Sequence, residues 1–341
     1  MLISELPRRD GNVRVLWNGR IFVGPDWRIM LASVVLVALG SLMFVFFTNE
    51  VMAARVIVGV TALISIAVLL LCGLSDPGLK PRQPPPPPEA PPHESLWSER
   101  EYVDQNGHIQ QARLETKWCY SCNIYRPYRG AHCRYCDRCV ARRDHHCPWT
   151  GTCIGAKNYR YYFALVWVLS VLLFTALCGG IQSFAQRILR HSNVASAVED
   201  GPSAFTSALI DTYCLELILI LLSFTFGLLA WSLAFYHTYL ISQNLTSVDV
   251  AKDLDENVFT HGSVLANMRA ALTGWPDDET TRGGRSTEVV IQACGCDSVG
   301  DAPSPLTTAH EASSHAVLHD GADVRFPSEG LCNEEDRLQP S

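Results

Sequence analysis

Residues 119–153 read CYSCNIYRPYRGAHCRYCDRCVARRDHHCPWTGTC. It holds seven of the chain's 13 cysteines and three of its 11 histidines. Cysteine and histidine are the usual ligands of zinc, and a closed site with four such ligands is structural. This density of donors, at the spacing of metal fingers, predicts a metal-bound domain built around Asp144-His145-His146-Cys147.

A count of the donors leaves two of them surplus to two zinc sites. The Cys-x2-Cys pairs Cys119/Cys122 and Cys133/Cys136 are complete, and each needs two further ligands. Six donors are available for these four places: His132, Cys139, His145, His146, Cys147 and Cys153. A surplus histidine and cysteine, close in sequence, are what a nucleophile and its general base require. Spacing alone leaves open which two they are.

Apolar blocks on both sides of this stretch predict a membrane protein. The 341-residue chain is 48% hydrophobic and only 18% charged, whereas soluble globular chains carry about 25% charged residues. Four blocks are long enough to cross a hydrocarbon layer of ~30 Å as helices: about 29–47, 56–74, 163–181 and 217–241. Buried core helices are the weaker interpretation, because these rarely lack a polar face. We therefore predict an all-α multi-pass membrane protein with four transmembrane helices.

Basic residues near the ends of the blocks predict the orientation, because cytoplasmic loops carry an excess of lysine and arginine. Eleven of them lie on one side: Arg8, Arg9, Arg14, Arg20, Arg28, Lys80, Arg82, Arg142, Arg143, Lys157 and Arg160. The other side has little beyond Arg55, Arg187 and Arg190. Both termini and the cysteine-rich domain, between helices two and three, are therefore expected in the cytosol. That compartment is reducing, so metal binding is favoured over disulfides.

The remaining chain divides by composition. The predicted segments are a cytosolic N-terminal segment (1–28), a transmembrane hairpin (29–74), a Pro-rich linker (75–118), the cysteine-rich domain (119–162), helices three and four (163–241), a C-terminal segment (242–273) and a tail (274–341). The run Pro84–Pro88 predicts an extended, stiff spacer, and residues 182–211 a polar loop. The tail predicts disorder. It also carries most of the net charge of −7, which indicates no nucleic-acid partner.

The motifs of this chain identify a family resemblance. They are Arg126-Pro127-x-Arg129, His132-Cys133-x2-Cys136-x2-Cys139, Asp144-His145-His146-Cys147-Pro148-Trp149, Cys153-Ile154-Gly155 and Asn158. With them, residues 119–163 closely resemble the DHHC protein S-acyltransferases, membrane enzymes that place a fatty acyl thioester on protein cysteines. The likeness extends to Asp76-Pro77-Gly78, to Asn244-Leu245-Thr246-Ser247-x-Asp249 and to residues 257–267.

The resemblance implies a role for each donor. One zinc is held by Cys119, Cys122, His132 and Cys139, and the second by Cys133, Cys136, His146 and Cys153. His145 and Cys147 then remain free, and Asp144 orients His145. Because the ligands interleave along the chain, the two structural zinc sites are expected to form one unit. Structural zinc contributes roughly 10–16 kcal/mol in small fingers, so this unit needs no large apolar core.

The resemblance also implies a reaction. A free thiol has a pKa of about 8.5, and His145 can remove the proton of Cys147 while Asp144 fixes the imidazole. The thiolate attacks palmitoyl-CoA or another long-chain acyl-CoA, and the acyl group passes from Cys147 to a membrane-proximal cysteine of a substrate protein. Four arginines are candidates for binding the phosphates of CoA: Arg126, Arg129, Arg142 and Arg143. An equally good interpretation is that they only reflect the charge bias of the cytosolic side.

Location and partners follow from the same likeness. Family members reside in the Golgi or endoplasmic reticulum, with the active site on the cytosolic face of the bilayer. The stretch Asn18-Gly19-Arg20-x3-Gly24-Pro25-Asp26 resembles the N-terminal segment of members that work with an accessory subunit.

Three positions depart from the family pattern. Thr152 replaces an Asn or Gln, Ser247 a Thr, and Asp249 a Glu. Ser247 keeps a hydroxyl and Asp249 a carboxylate, so we expect both to keep their function. Thr152 is the less conservative change and puts the geometry of the acyl-enzyme in question.

Other classes of protein are compatible with parts of this sequence. A zinc-stabilised membrane adaptor, or pseudoenzyme, would recruit partners through Pro84–Pro88 and the tail, and its Cys147 would be a zinc ligand or an inert thiol. The complete set Asp144-His145-x-Cys147 favours the enzyme. A metal transporter fits poorly, because the spans carry no paired carboxylates or histidines at depth.

Overall fold

A computed structural model of the protein describes residues 8–48, 52–89, 92, 94–103, 108–195, 202–252 and 259–273. The predicted tail, 274–341, lies outside the described residues, as do residues 1–7 of the N-terminal segment and part of the C-terminal segment. The side chains of residues 190–215 are likewise not described.

Four long helices form the membrane part: α1 (Trp27–Phe47), α2 (Met52–Leu74), α3 (Tyr159–Ala195) and α4 (Pro202–Ser242). Each contains a stretch that is long and apolar enough to cross a membrane, with mean hydropathy between 2.3 and 2.7. The prediction of four such helices is confirmed. Neighbours in sequence pack side by side, α1 on α2, α2 on α3 and α3 on α4, while much of the apolar surface faces outward, as a lipid environment requires.

The prediction of a polar loop at 182–211 is wrong over most of that range. Helix α3 continues to Ala195, and α4 already begins at Pro202. The end of an apolar run marks the edge of the hydrocarbon layer but does not end a helix. The residues that follow the apolar run of α3 include good helix formers such as glutamine, arginine and leucine.

The all-α prediction is wrong outside the membrane helices, where the described chain forms ten antiparallel strands, eight of them with two to four residues. They are β1 (Arg8–Asp10), β2 (Val13–Leu16), β3 (Ile21–Val23), β4 (Ser95–Val103), β5 (Ile109–Cys119), β6 (Ile124–Tyr125), β7 (Ala131–Cys133), β8 (Arg138–Val140), β9 (His145–Cys147) and β10 (Thr152–Ile154). Two three-stranded sheets have the orders β1-β2-β3 and β4-β5-β6, and two hairpins pair β7 with β8 and β9 with β10. Most of the candidate metal ligands lie in these hairpins or next to them, because tight turns bring them together.

The N-terminal sheet packs on the cysteine-rich domain. Val13 is fully buried in one cluster with Cys133, Cys136 and Cys153. The amide N–H of Asn12 donates to the carbonyl oxygen of Cys136 at 3.0 Å, and its side chain donates to the carbonyl of Tyr135 at 2.9 Å. The N-terminal segment therefore forms one unit with the cysteine-rich domain.

The predicted linker contains a hairpin. Pro84–Pro88 has no regular secondary structure, but β4 and β5 then pair over nine residues each. Exposure alternates along β5, as it does in a strand with one covered face. The chain before the hairpin also touches the cysteine-rich domain, because the amide of Gln83 donates to Cys122 O at 2.9 Å.

The segment after α4 folds back onto the same domain. It contains α5 (Ser247–Ala251), whose N-terminus is closed by a capping box of Thr246 and Asp249, and α6 (Val264–Thr273). Arg129 donates to Asp249 Oδ2 through Nε at 2.9 Å, and it also donates to the backbone carbonyl of Asn244 at 2.7 Å. This buried ion pair brings Ser247 to the tetrapeptide.

Candidate active site and metal centres

The first metal group lies where β5 ends and β7 faces β8. Its members are Cys119, Cys122, His132 and Cys139, whose donor atoms all lie within 4.8 Å of one another. His132 Nδ1 is 3.6 Å from Cys119 Sγ and 3.4 Å from Cys122 Sγ. With Zn–S of about 2.3 Å and Zn–N of about 2.0 Å, a tetrahedral ion separates such donors by roughly 3.5–3.8 Å. The group therefore fits one zinc ion.

The second metal group lies between β9, β10 and the turn that joins β7 to β8. His146 Nδ1 is 3.5 Å from Cys133 Sγ, 3.4 Å from Cys136 Sγ and 3.5 Å from Cys153 Sγ. The sulfur atoms of Cys136 and Cys153 are 3.6 Å apart. These separations again match a tetrahedral ion with three sulfur ligands and one nitrogen ligand. The chain thus has two groups that fit two zinc ions.

Strand β7 belongs to both metal groups. His132 and Cys133 are neighbours in this strand, and neighbours in a strand point to opposite faces. His132 pairs with Cys139 of β8 and faces the first group, whereas Cys133 faces the second. The two groups are therefore parts of one folded unit, as the interleaved ligands predict.

Strand β9 separates the two adjacent histidines of the tetrapeptide. It pairs with β10 so that Cys147 lies opposite Thr152, and His146 opposite Cys153. Because side chains alternate between the faces of a strand, His146 points into the second metal group while His145 and Cys147 share the other face. The two donors outside both metal groups are thus His145 and Cys147.

Asp144 is almost fully buried and holds His145. Its Oδ2 is 2.7 Å from His145 Nδ1. Ser247, at the start of α5, donates twice to the same carboxylate, from its amide to Oδ1 at 2.8 Å and from its hydroxyl to Oδ2 at 3.0 Å. A carboxylate at Nδ1 orients the imidazole and leaves Nε2 for a second partner. Cys147 lies on the same face of β9 as His145, and the charges of the two groups act on each other.

Burial and this hydrogen-bond chain shift three pKa values. Burial opposes the charge of Asp144, but the hydrogen bond and charge of His145 prevail and lower the Asp144 pKa to about 2. Burial likewise opposes the imidazolium, but Asp144 and Cys147 raise the pKa of His145 to about 9. For Cys147, burial acts against the thiolate, and His145 outweighs it, so the pKa lies below the usual value of a thiol. The group therefore favours a thiolate beside an imidazolium.

Aromatic side chains from α3 and α4 enclose His145. The ring of Tyr162 meets the ring of His145 edge-on, with centroids 5.0 Å apart. His237 is buried behind it, 2.9 Å from the hydroxyl of Tyr159, and one of its ring nitrogens lies within 4.8 Å of Asp144 and His145 donor atoms. The contacts of His237 and Ser247 with this site were not predicted from the sequence. The signal for His237 was its place as an ionisable residue in an apolar span.

Cys147 lines an apolar cavity of about 280 Å³ between the four membrane helices. Trp149 and Tyr162 lie beside it in the cavity wall, and α1 lines the wall from Ser33 to Phe44. Between these two residues the helix rises by roughly 16 Å, so the cavity is deep as well as apolar. A long hydrocarbon chain fits such a space better than a polar ligand.

The three departures from the family pattern have different surroundings. Ser247 and Asp249 keep their polar contacts, to Asp144 and Arg129 respectively. Thr152 is fully buried opposite Cys147, and its hydroxyl oxygen has no hydrogen-bond partner within the described part of the chain.

The four arginines predicted near a CoA phosphate divide into two pairs. Arg129 and Arg142 are buried, and both donate to Asn244 Oδ1, at 3.2 and 2.7 Å. These two therefore attach the segment after α4 to the cysteine-rich domain. Arg126 and Arg143 are half-buried, and the Nε atom of each has no partner among the residues that the structure describes.

Comparison with known proteins agrees with this geometry. Residues 112–253 match the family model described as DHHC palmitoyltransferase. The chain is 29% identical over 303 residues to palmitoyltransferase ZDHHC14 of Danio rerio, covering 77% of this chain and 57% of that protein. It is 30% identical over 236 residues to palmitoyltransferase ZDHHC9 of Homo sapiens, covering 62% of this chain and 58% of the relative.

The chain spans less than three fifths of the length of these two relatives. The matched region nevertheless contains both metal groups, the tetrapeptide, α3, α4 and the motif that follows α4. Residues 112–253 are therefore similar to DHHC palmitoyltransferases over the region that carries the tetrapeptide and both metal groups.

Proposed function

We propose that the protein is a protein S-acyltransferase, which moves a long-chain acyl group from acyl-CoA to cysteines of membrane-associated proteins. One observation carries this proposal: Cys147 shares one face of β9 with His145 and at the same time lines an apolar cavity between the membrane helices. An acyl thioester needs a nucleophile at its carbonyl and an apolar space for its chain. Cys147 lies where both are met.

In the first step, His145 accepts the proton of the Cys147 thiol, and Asp144 stabilises the resulting imidazolium. The thiolate attacks the thioester carbonyl of acyl-CoA, a new carbon–sulfur bond forms and the bond to the CoA sulfur breaks. Coenzyme A leaves with the proton that His145 returns. The acyl chain stays in the cavity, bound to Cys147 as a thioester.

In the second step, the thiol of a substrate protein gives its proton to His145 and attacks the acyl-Cys147 carbonyl. The Cys147 sulfur leaves and regains a proton. Each step exchanges one thioester for another, so neither is strongly uphill. The mouth of the cavity at Cys147 favours cysteines that lie close to the membrane surface.

The metal groups have a structural role in this proposal. Both are complete four-donor groups, which leave no open position for substrate. Zinc at these groups holds β7 and β9 in place and thereby fixes the direction of the Cys147 side chain. Arg126 and Arg143 are the arginines that remain for the phosphates of CoA, because the other two bind Asn244.

We further propose that the cysteine-rich domain faces the cytosol, in a Golgi or endoplasmic reticulum membrane. The basic residues near the helix ends support this orientation. An accessory subunit has a candidate contact at the turn between β2 and β3, where the exposed Trp17 projects next to Asn18 and Gly19. Protease protection in sealed vesicles tests the orientation. A Pro84–Pro88 region shielded from the protease would contradict a cytosolic location.

The activity is tested with purified protein in detergent and labelled palmitoyl-CoA. We expect a protein-bound label that neutral hydroxylamine removes, because hydroxylamine cleaves thioesters, and transfer of that label to an added cysteine peptide. Cys147→Ser is the matched variant, since it keeps the size of the side chain and removes the thiol. An adaptor or pseudoenzyme would gain no label in the wild-type protein, and that result would refute the proposal.

A further inference from the structure

The second metal group has a contact that comes from the other end of the chain. Asp26 Oδ2 lies 2.9 Å from Nε2 of His146, although the two residues are 120 positions apart. The opposite ring nitrogen of His146, Nδ1, faces the three sulfur atoms of the group. The His146 side chain is only 3% exposed, and that of Asp26 is 31% exposed.

Asp26 stands at the N-cap of α1 but does not cap this helix. Aspartate is favoured at an N-cap because its carboxylate accepts a hydrogen bond from an amide in the first turn. Here no side-chain capping bond is present. The carboxylate turns to His146, which lies in β9 beside the nucleophile Cys147.

The backbone around Asp26 fits closely against the turn between β9 and β10. The amide of Asp26 donates to the carbonyl of Gly151 at 3.3 Å. At Gly24, an added Cβ atom would lie 2.1 Å from that same carbonyl oxygen, so no side chain fits there. The position of Asp26 relative to His146 is therefore fixed by the backbone on both sides.

Among the described residues, the first metal group has no equivalent contact of this quality. Its histidine, His132, has Nε2 at 3.7 Å from Asp137 Oδ1, which is too long for a hydrogen bond. Asp137 also pairs with Arg82 at the surface. The contrast makes Asp26 a specific feature of the second group.

We propose that Asp26 is the positioning residue of the second metal site. By accepting the Nε2–H of His146, it fixes the tautomer whose Nδ1 lone pair faces the metal, and it makes the ring a better ligand. It also ties the start of the first membrane helix to the strand that carries Cys147. This role concerns metal binding, so it stands or falls independently of acyl transfer.

Zinc release to a chromogenic chelator tests the proposal in the full-length protein in detergent. Loss of such outer carboxylates typically lowers metal affinity 10–100-fold. We therefore expect Asp26→Ala to accelerate the release of one of the two zinc ions by about 10-fold or more. Alkylation and mass spectrometry during release identify the site, and Cys133, Cys136 and Cys153 are expected to react before Cys119, Cys122 and Cys139.

Two further substitutions separate this role from helix capping. Serine is a good N-cap residue but is too short to reach His146, so Asp26→Ser is expected to release zinc as fast as Asp26→Ala. In Asp26→Asn, the amide oxygen can still accept the Nε2–H, so its release is expected to be closer to that of the wild type. Asp137→Ala is the control at the first site and is expected to leave release from the second site unchanged.

The proposal is overturned if Asp26→Ser behaves like the wild type while Asp26→Ala is fast, because capping would then be the role. It is also overturned if all three variants release zinc at the wild-type rate, or if the first-site cysteines become reactive first. Should Asp26→Ala fail to fold, the comparison of Asp26→Ser with Asp26→Asn decides the question.

Discussion

Ser247 donates two hydrogen bonds to Asp144, one from its amide and one from its hydroxyl, across 103 positions of sequence. The motif after the fourth membrane helix thus positions the Asp144 carboxylate, which in turn positions His145. Ser247→Ala removes the hydroxyl bond and leaves the amide bond. A hydrogen bond to a charged group contributes about 1.5 kcal/mol or more, so we expect roughly tenfold slower acylation of Cys147 in a rapid-quench assay.

The matched control for that substitution is Ser247→Thr, which keeps the hydroxyl and adds one methyl group. Its acylation rate is expected to stay close to that of the wild type. Equal slowing in the two variants would mean that the hydroxyl bond to Asp144 does not matter for the nucleophile.

The buried ion pair between Arg129 and Asp249 is expected to stabilise the cysteine-rich domain against the membrane helices. Both side chains are at most 3% exposed. Asp249→Asn removes the charge that Asp249 places beside the buried Arg129, and breaking such a pair costs about 3–5 kcal/mol. The measurement is thermal unfolding in detergent, where a clear fall in the midpoint is expected.

Lys157→Ala is the comparison for that prediction, because Lys157 pairs with Asp76 at the surface, at 3.2 Å. Exposed pairs contribute about 0–1 kcal/mol. A midpoint for Asp249→Asn no lower than that of Lys157→Ala would contradict the stabilising role of the buried pair.

Substitutions of the neighbours His145 and His146 are expected to have opposite effects on zinc content and acylation. His146→Ala removes a donor from the second metal group, so metal analysis should show loss of zinc first. His145→Ala leaves both metal groups intact, so two zinc ions should remain while acylation of Cys147 slows. Exchange of these two results would mean that base and ligand are assigned to the wrong histidines.

Thr152 is expected to tolerate loss of its hydroxyl. This oxygen is buried, and no partner for it lies in the described part of the chain, so it has little hydrogen-bond energy to lose. Thr152→Val keeps the shape of the side chain and removes the buried polar atom, a change that is nearly neutral or stabilising when no partner is left behind. Thermal unfolding and zinc content should match or exceed the wild type; a marked loss in either would reveal a partner for Thr152.

The membrane helices could be predicted because an unbroken apolar run is a strong local signal. The short strands could not, since β9 and β10 have three residues each and carry no readable period. If β9 had been predicted, the alternation of side chains along a strand would have placed His146 on one face and His145 and Cys147 on the other. The spacing of the donors had left open which of them bind metal. Contacts such as Asp26 to His146 connect parts of the chain that share no local pattern. They arise from the packing of β3, α1 and the metal groups.

Locating the acyl group by peptide mass spectrometry tests whether Cys147 is the nucleophile. Zinc-replete protein is incubated briefly with palmitoyl-CoA and digested at low pH, which preserves thioesters. We expect one palmitoyl group on the peptide that contains Cys147, and none in Cys147→Ser protein that still holds two zinc ions. An acyl group on Cys72 or on a metal-group cysteine, with Cys147 unmodified, would contradict it.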